Sequence, residues 1–224
     1  MKTAILVDGG FYRRRAQIKI GEKSAIERAN ELDNYCKRHL TERMGKAKTI
    51  THDLYRIFYY DCPPMNKKIR HPFTDVEIDF GKSELNLWMT LFLDELKKHR
   101  KFALRLGKLS DTQACYNLRP TVTKKLCRGK LAWSDLTEND FAIQVDQKGV
   151  DMKIGLDIAS LSYKKQVEQI VLISGDSDFV SAAKLARREG IDFVLDPLGA
   201  PIKPDLFEHI DGLRTCDKAY SDNE

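Results

Sequence analysis

Val171-Leu172-Ile173-Ser174-Gly175-Asp176-Ser177-Asp178-Phe179 is the stretch whose reading decides the fold. An apolar run stops at Ser174-Gly175, two carboxylates follow one residue apart, and an apolar-periodic segment runs from Val180 to Glu189 until Gly190 stops it. That order reads as a buried strand, a tight turn and a helix. Asp176 and Asp178 then sit on the strand-to-helix turn, at the carboxyl end of the strand, where open α/β sheets build their sites. Two carboxylates there are poor core material and good ligands for a hard divalent cation.

Working outward, Ile191 to Leu195 reads as another buried strand, Pro197 to Pro204 as a loop, and Asp205 to Ile210 as a short helix. Upstream, Val150 to Tyr163 reads as a helix. At the other end of the chain, Thr3 to Val7 is an apolar run that ends at Asp8-Gly9-Gly10, a first strand followed by a glycine turn. Phe11 to Ile20 is weakly helical. Ser24 to Met44 is helix-compatible, with Ala25, Ala29 and Leu32 on one face and Ser24 and Glu27 spaced as a capping box. Leu54 to Tyr60 is aromatic and β-branched, a second strand that Pro63-Pro64 stops. Asn66 to Gly81 reads as a polar loop and Ser83 to Lys101 as a helix. Phe102 to Leu109 and Phe141 to Gln147 read as strands that pair in a hairpin-like extension. Strands alternating with helices imply parallel βαβ units. Residues 62–147 are the least regularly patterned and read as an insertion within a single domain spanning 1–224.

Composition narrows the class. With 42% hydrophobic residues the chain can bury a core. No apolar run approaches the roughly 18 residues needed to span a bilayer. Charge appears too early at the N-terminus for a secretory signal, so a cytoplasmic location and no membrane partner are expected. The five cysteines are scattered without a C-x-x-C pair, which points to reduced thiols rather than a zinc site or a disulfide framework. Charge is unevenly distributed. Between Lys97 and Lys130 stand eleven Lys or Arg and one acid, Asp111, while the whole chain carries only +5. A basic block on an otherwise acidic body fits a polyanionic partner held beside an acidic site.

Three segments offer acids where strands end or helices begin: Asp8, then Asp151 with Asp157 further along, then Asp176 and Asp178. In a parallel sheet Asp8 and Asp176 emerge at the same edge. Clustered carboxylates repel and one protonates unless a cation neutralises them. Mg²⁺ or Mn²⁺ suits such a set, because these ions take few carboxylates, keep several waters and leave room for a substrate phosphate. Asp157 lies six residues beyond Asp151, which places the two about 120° apart on a helix. Gly9-Gly10 has neither the P-loop nor the dinucleotide-binding spacing. His39, His52, His71, His99 and His209 lie apart from the acidic motifs, so no Ser-His-Asp or Cys-His arrangement competes.

Ile5-Leu6-Val7-Asp8-Gly9-Gly10-Phe11-Tyr12, Tyr60-Asp61 with its prolines, Lys148-Gly149-Val150-Asp151 and Ser174-Gly175-Asp176-Ser177-Asp178-Phe179 together resemble the NYN domain family, LabA-like branch, of the PIN-like nuclease superfamily. The resemblance implies a three-layer α/β/α Rossmann-like fold with a mainly parallel sheet, here with an inserted basic extension. It also implies a Mg²⁺ or Mn²⁺ site of aspartates and hydrolysis of RNA phosphodiesters. Carried onto matching positions, Asp8, Asp151, Asp176 and Asp178 would hold metal and activate water, with Asp157 in support.

The expected RNA contacts are Arg13 and Arg14 beside Asp8, and Lys97, Lys98, Arg100, Lys101, Lys124, Lys125, Arg128 and Lys130 from the basic block. RNA, single-stranded or structured, is the expected partner, single-stranded DNA the second candidate, and a dimer is compatible with either. Tyr55, Tyr59 and Tyr60 lie on a strand, where aromatics are more often core than base-stacking platforms. The competing class is a non-catalytic RNA-binding or regulatory module. The toprim fold wants Glu at the first strand end, and haloacid-dehalogenase phosphatases want Asp-x-Asp there. The chain has Asp8-Gly9-Gly10.

Overall fold

The computed structural model describes residues 1–44, 48–110 and 114–220. From the N-terminus, β1 (Lys2–Asp8) leads through α1 (Gly9–Ile20) and α2 (Ala25–Arg38) to a small hairpin, β2 (Thr41–Met44) with β3 (Lys48–Thr51), and on to β4 (Asp53–Asp61). A second hairpin, β5 (Lys68–Arg70) with β6 (Glu77–Asp79), precedes α3 (Glu84–Leu96) and β7 (Phe102–Leu106). Then come β8 (Lys108–Leu109), β9 (Cys115–Leu118), α4 (Pro120–Cys127), β10 (Phe141–Gln144) and β11 (Gln147–Lys148). The last part holds α5 (Val150–Tyr163), β12 (Gln169–Ile173), α6 (Val180–Arg188), β13 (Asp192–Asp196), α7 (Pro204–Phe207) and β14 (Gly212–Leu213).

Six strands form one parallel sheet in the order β14-β13-β12-β1-β4-β7. The chain winds outward through β1, β4 and β7, crosses back, and starts again at β12 beside β1. The order therefore reverses between β1 and β12, with Val7 paired to Ile173 at the end of the ladder. Asp8 and Ser174 follow that pair into the crevice where doubly wound sheets bind ligands. This is an α/β protein with helices on both faces of a parallel sheet.

The apolar runs are continuous because both faces of the sheet are covered. Ile5 and Val7 of β1 point into one core with Tyr12, Leu32, Ile57 and Phe92; Ala4 and Leu6 point into the other with Ile154, Ile158, Leu172 and Phe193. Helix α2 begins as its sequence demands: the Ser24 hydroxyl accepts from the Glu27 N–H, and the Glu27 carboxylate accepts from the Ser24 N–H at 3.0 Å.

Several boundaries differ from the sequence reading. Helix α2 stops at Arg38 rather than running to Met44, and Thr41–Met44 turns back as a strand. Residues 84–106, inside the segment expected to be an insertion, belong to the main fold, since β7 is the edge strand beside β4 and α3 packs on α2. What stands outside the main layers, among the described residues, is 62–83, 107–110 and 114–148. The expected pairing of 102–109 with 141–147 is realised only as β8 against β11, while β10 pairs with β9. Tyr59 and Tyr60 are fully buried, hence core. Asp111, the one acid of the basic block, lies outside the described residues.

Candidate active site

Asp8 ends β1 and caps α1, its Oδ1 accepting from the Phe11 N–H at 3.0 Å. Its Oδ2 accepts from the Ser174 hydroxyl at 3.2 Å, and the Ser174 oxygen in turn accepts from the Asp176 N–H at 3.3 Å. Ser174 thus ties the end of β1 to the turn after β12. Two glycines permit this closeness. A Cβ on Gly175 would meet the Phe11 ring at 2.7 Å, and one on Gly9 would meet Asp61 Oδ2 at 2.6 Å. Gly9 is therefore a packing glycine that seats α1 against β4.

Asp176 caps the turn Ser177–Phe179, accepting from the Asp178 N–H at 3.1 Å. Asp151 occupies the first turn of α5. Burial, foremost, pushes the Asp8 carboxyl up from its ordinary range, against the lowering effect of the Phe11 and Ser174 hydrogen bonds; Asp151 and Asp61 add repulsion. Asp151 is pushed up too, by desolvation first and then by the charges of Asp176 and Asp178. Acids from three distant segments therefore sense one another at the sheet edge.

Partners separate these acids from the other carboxylates nearby. Asp61, fully buried at the end of β4, accepts a two-pronged bond from Arg13, with Nε–Oδ2 and Nη2–Oδ1 both 3.0 Å, and further bonds from the Tyr59 hydroxyl and the Cys62 N–H. Asp196, at the end of β13, accepts from Tyr35, His39, Thr215 and the Leu198 N–H. Asp157 stands apart from Asp151, its Oδ2 taken by the Tyr60 hydroxyl at 2.8 Å and Arg105 Nε at 3.1 Å. For Asp8, Asp151, Asp176 and Asp178 no ion pair with lysine or arginine appears among the described residues.

The donor set is all oxygen, the chemistry Mg²⁺ and Mn²⁺ prefer. Among the described residues no three His, Cys, Asp or Glu side chains stand close enough to hold an ion. The acids are assembled on one edge, and ligation would require them to draw in around the cation.

The expected RNA contacts divide in two. Arg13 is committed to Asp61. Arg14 is exposed, with its Nε donating to the Gly10 carbonyl at 3.2 Å. Lys97 and Lys98 pair with Asp94 and Glu95, and Lys101 donates to the Leu54 carbonyl. Those two lysines, Arg100 and Lys101 precede β7 and so lie at the amino edge of the sheet, away from the acids. Lys124, Lys125, Arg128 and Lys130 belong to the extension that leaves the carboxyl edge, and all are exposed. A linear charge count could not see that β7 divides the block. Ser174 and the Asp61–Arg13 pair escaped the sequence reading of the site, although an acid closing an aromatic strand was a visible signal for Asp61.

The doubly wound sheet thus carries Asp8, Asp176 and Asp178 at the ends of adjacent strands, without a lysine or arginine ion pair among the described residues. The model of the NYN domain family matches residues 92–201, a stretch that carries Asp151, Asp176 and Asp178, and this bears out the resemblance to that family and, through it, to the PIN-like superfamily. Asp8 lies outside the match and is brought to it by β1. The match supports a nuclease-type, RNA-related function. No curated protein matches the chain. One solved structure, a protein of unknown function from Vibrio parahaemolyticus, is 14% identical with a TM-score of 0.47 over 97% of this chain and 94% of that one, a likeness too slight to build on. Among the described residues no helix is long and apolar enough to cross a membrane.

Proposed function

We propose that the chain is a metal-dependent ribonuclease that hydrolyses RNA phosphodiester bonds. What supports this reading is that Asp8, Asp151, Asp176 and Asp178 follow strands or open a helix at the carboxyl edge, with no lysine or arginine ion pair among the described residues, and that burial first and then neighbouring carboxylates raise Asp8 and Asp151. Those four would hold Mg²⁺ or Mn²⁺. Bound there, the ion would neutralise charge on a phosphoryl oxygen and acidify a water. Ser174 and the Phe11 N–H fix both oxygens of Asp8. Asp157, held by Tyr60 and Arg105, would support α5 rather than touch the ion. Lys124, Lys125, Arg128 and Lys130 would hold the phosphate backbone, which predicts steep salt dependence. Single-stranded DNA is the second candidate substrate.

The test is cleavage of a labelled single-stranded RNA with Mn²⁺, Mg²⁺ or EDTA, for wild type and Asp176→Asn. Metal-dependent cleavage lost in the variant supports the reading. Wild type that binds RNA without cutting RNA or DNA in any metal refutes it. That outcome favours the second reading, a non-catalytic RNA-binding module.

A further inference from the structure

Between the later turns of α1, the start of α2 and the N-terminal turns of α3 lies a groove of about 670 Å³. Its apolar side is formed by Ile18, Leu85 and Trp88. Ile18 and Leu85 are large apolar residues left 72% and 66% exposed. Trp88 is held rigidly, its indole N–H donating to the Lys23 carbonyl at 3.0 Å and its ring stacked on Phe92 at 5.1 Å and 13°. On the polar side four cations face two carboxylates, Glu22 and Glu84. Arg13, Lys23 and Arg28 are engaged by Asp61 and Glu31, whereas Arg14 bonds a backbone carbonyl.

Arg13 and Leu85 also line a second cavity of about 260 Å³, whose far wall includes Asp61 and Gln147. Gln147 Oε1 and Asp8 Oδ1 lie 3.8 and 3.7 Å from the position a Cβ on Gly10 would take. At 1.5 Å per residue, Arg14 stands about 9 Å and Ile18 about 15 Å along α1 from Asp8.

We propose that the larger cavity is a nucleobase subsite for a single-stranded RNA strand running from the acids across α1. A base would lie against Trp88 between Ile18 and Leu85, and Arg14 would take the adjoining phosphate. This rests on the ribonuclease reading for its choice of ligand. A flat ring held in a parallel stack, apolar side walls and an arginine at the rim match a stacked nucleotide. A paired base in a duplex cannot enter. The contact is sequence-tolerant, because every base offers a π-face.

The test uses the chain's two tryptophans. Trp133 is 71% exposed, so Trp133→Phe leaves Trp88 as the sole indole at little structural risk. A 12-nucleotide oligo(A) RNA is titrated into this variant in EDTA, where no turnover occurs, with fluorescence and anisotropy read together. The subsite predicts quenching of Trp88 that tracks binding and is absent with an RNA duplex. Adding Leu85→Glu should weaken single-strand binding about tenfold, the scale of one lost stacking contact, with an unchanged melting temperature. Metal-dependent cleavage by wild type without Trp88 quenching overturns the subsite and leaves the nuclease standing. Quenching without cleavage supports the subsite and removes the nuclease. Binding unaffected by Leu85→Glu overturns the subsite and leaves the groove to a protein partner.

Discussion

Arg13→Met tests whether the arginine beside Asp8 is an internal counter-charge or a contact for substrate. The Asp61 side chain is 0% exposed and that of Arg13 is 23% exposed. Removing one partner of a buried pair costs about 3–5 kcal/mol, because the remaining charge is left uncompensated. Arg13 reaches partly into solvent, and the Tyr59 hydroxyl and Cys62 N–H remain on Asp61, so the low end, about 3 kcal/mol, applies. Urea unfolding reads this directly. With a slope near 2–3 kcal/mol per molar, the midpoint falls by about 1–1.5 M. The double variant Arg13→Met/Asp61→Asn removes both charges and should recover about 2 kcal/mol of the loss, within the range of coupling energies for residues in contact. RNA affinity and its salt slope should be unchanged. A loss under about 1 kcal/mol with no recovery in the double variant, and a shallower salt slope instead, would refute the internal role.

The acids make a prediction with a definite sign. Asp151 has its folded pKa raised, by desolvation first and then by Asp176 and Asp178, so stability is greatest below the ordinary carboxylate value and falls as pH rises through the raised one. Asp151→Asn should therefore raise the metal-free melting temperature at pH 7 and lose that advantage near pH 3; an equal effect at both pH values contradicts the repulsion. Mn²⁺ at a hundred times its Kd should stabilise wild type by about 2.7 kcal/mol, or about 5–11 °C in Tm, and Asp176→Asn should lose most of the shift. Lys124→Ser/Lys125→Ser should lower the salt slope of RNA binding by about 2, while Lys97→Ser/Lys98→Ser should leave it unchanged; equal effects would contradict the division of the basic block. Tyr35→Phe removes one of four donors to buried Asp196 and should cost about 1–2 kcal/mol in urea unfolding without affecting RNA cleavage.

Local chemistry was enough for the repeating unit of this fold. The apolar runs before Asp8 and Ser174 are strands because only a sheet covered on both faces buries every side chain of such a run. Ser24 and Glu27 started a helix for a reason contained within four residues, and Val150–Tyr163 is helical from end to end as its sequence reads. The doubly wound class and the four acids at the sheet edge were legible for the same reason. What the sequence could not hold was adjacency across long separations. Strand β7 lies at the edge of the sheet beside β4, with Ile57 paired to Phe102, and this leaves Lys97, Lys98, Arg100 and Lys101 of the basic block at the far end of the sheet. Arg13 reads as a surface cation until β4 brings Asp61 beneath it, and Asp157 reads as an acid supporting the site until Tyr60 of β4 and Arg105 of β7 engage it. Charge along a chain is fixed by composition; whether a charge is neutralised depends on which partner the fold sets beside it, and only the tertiary structure decides that.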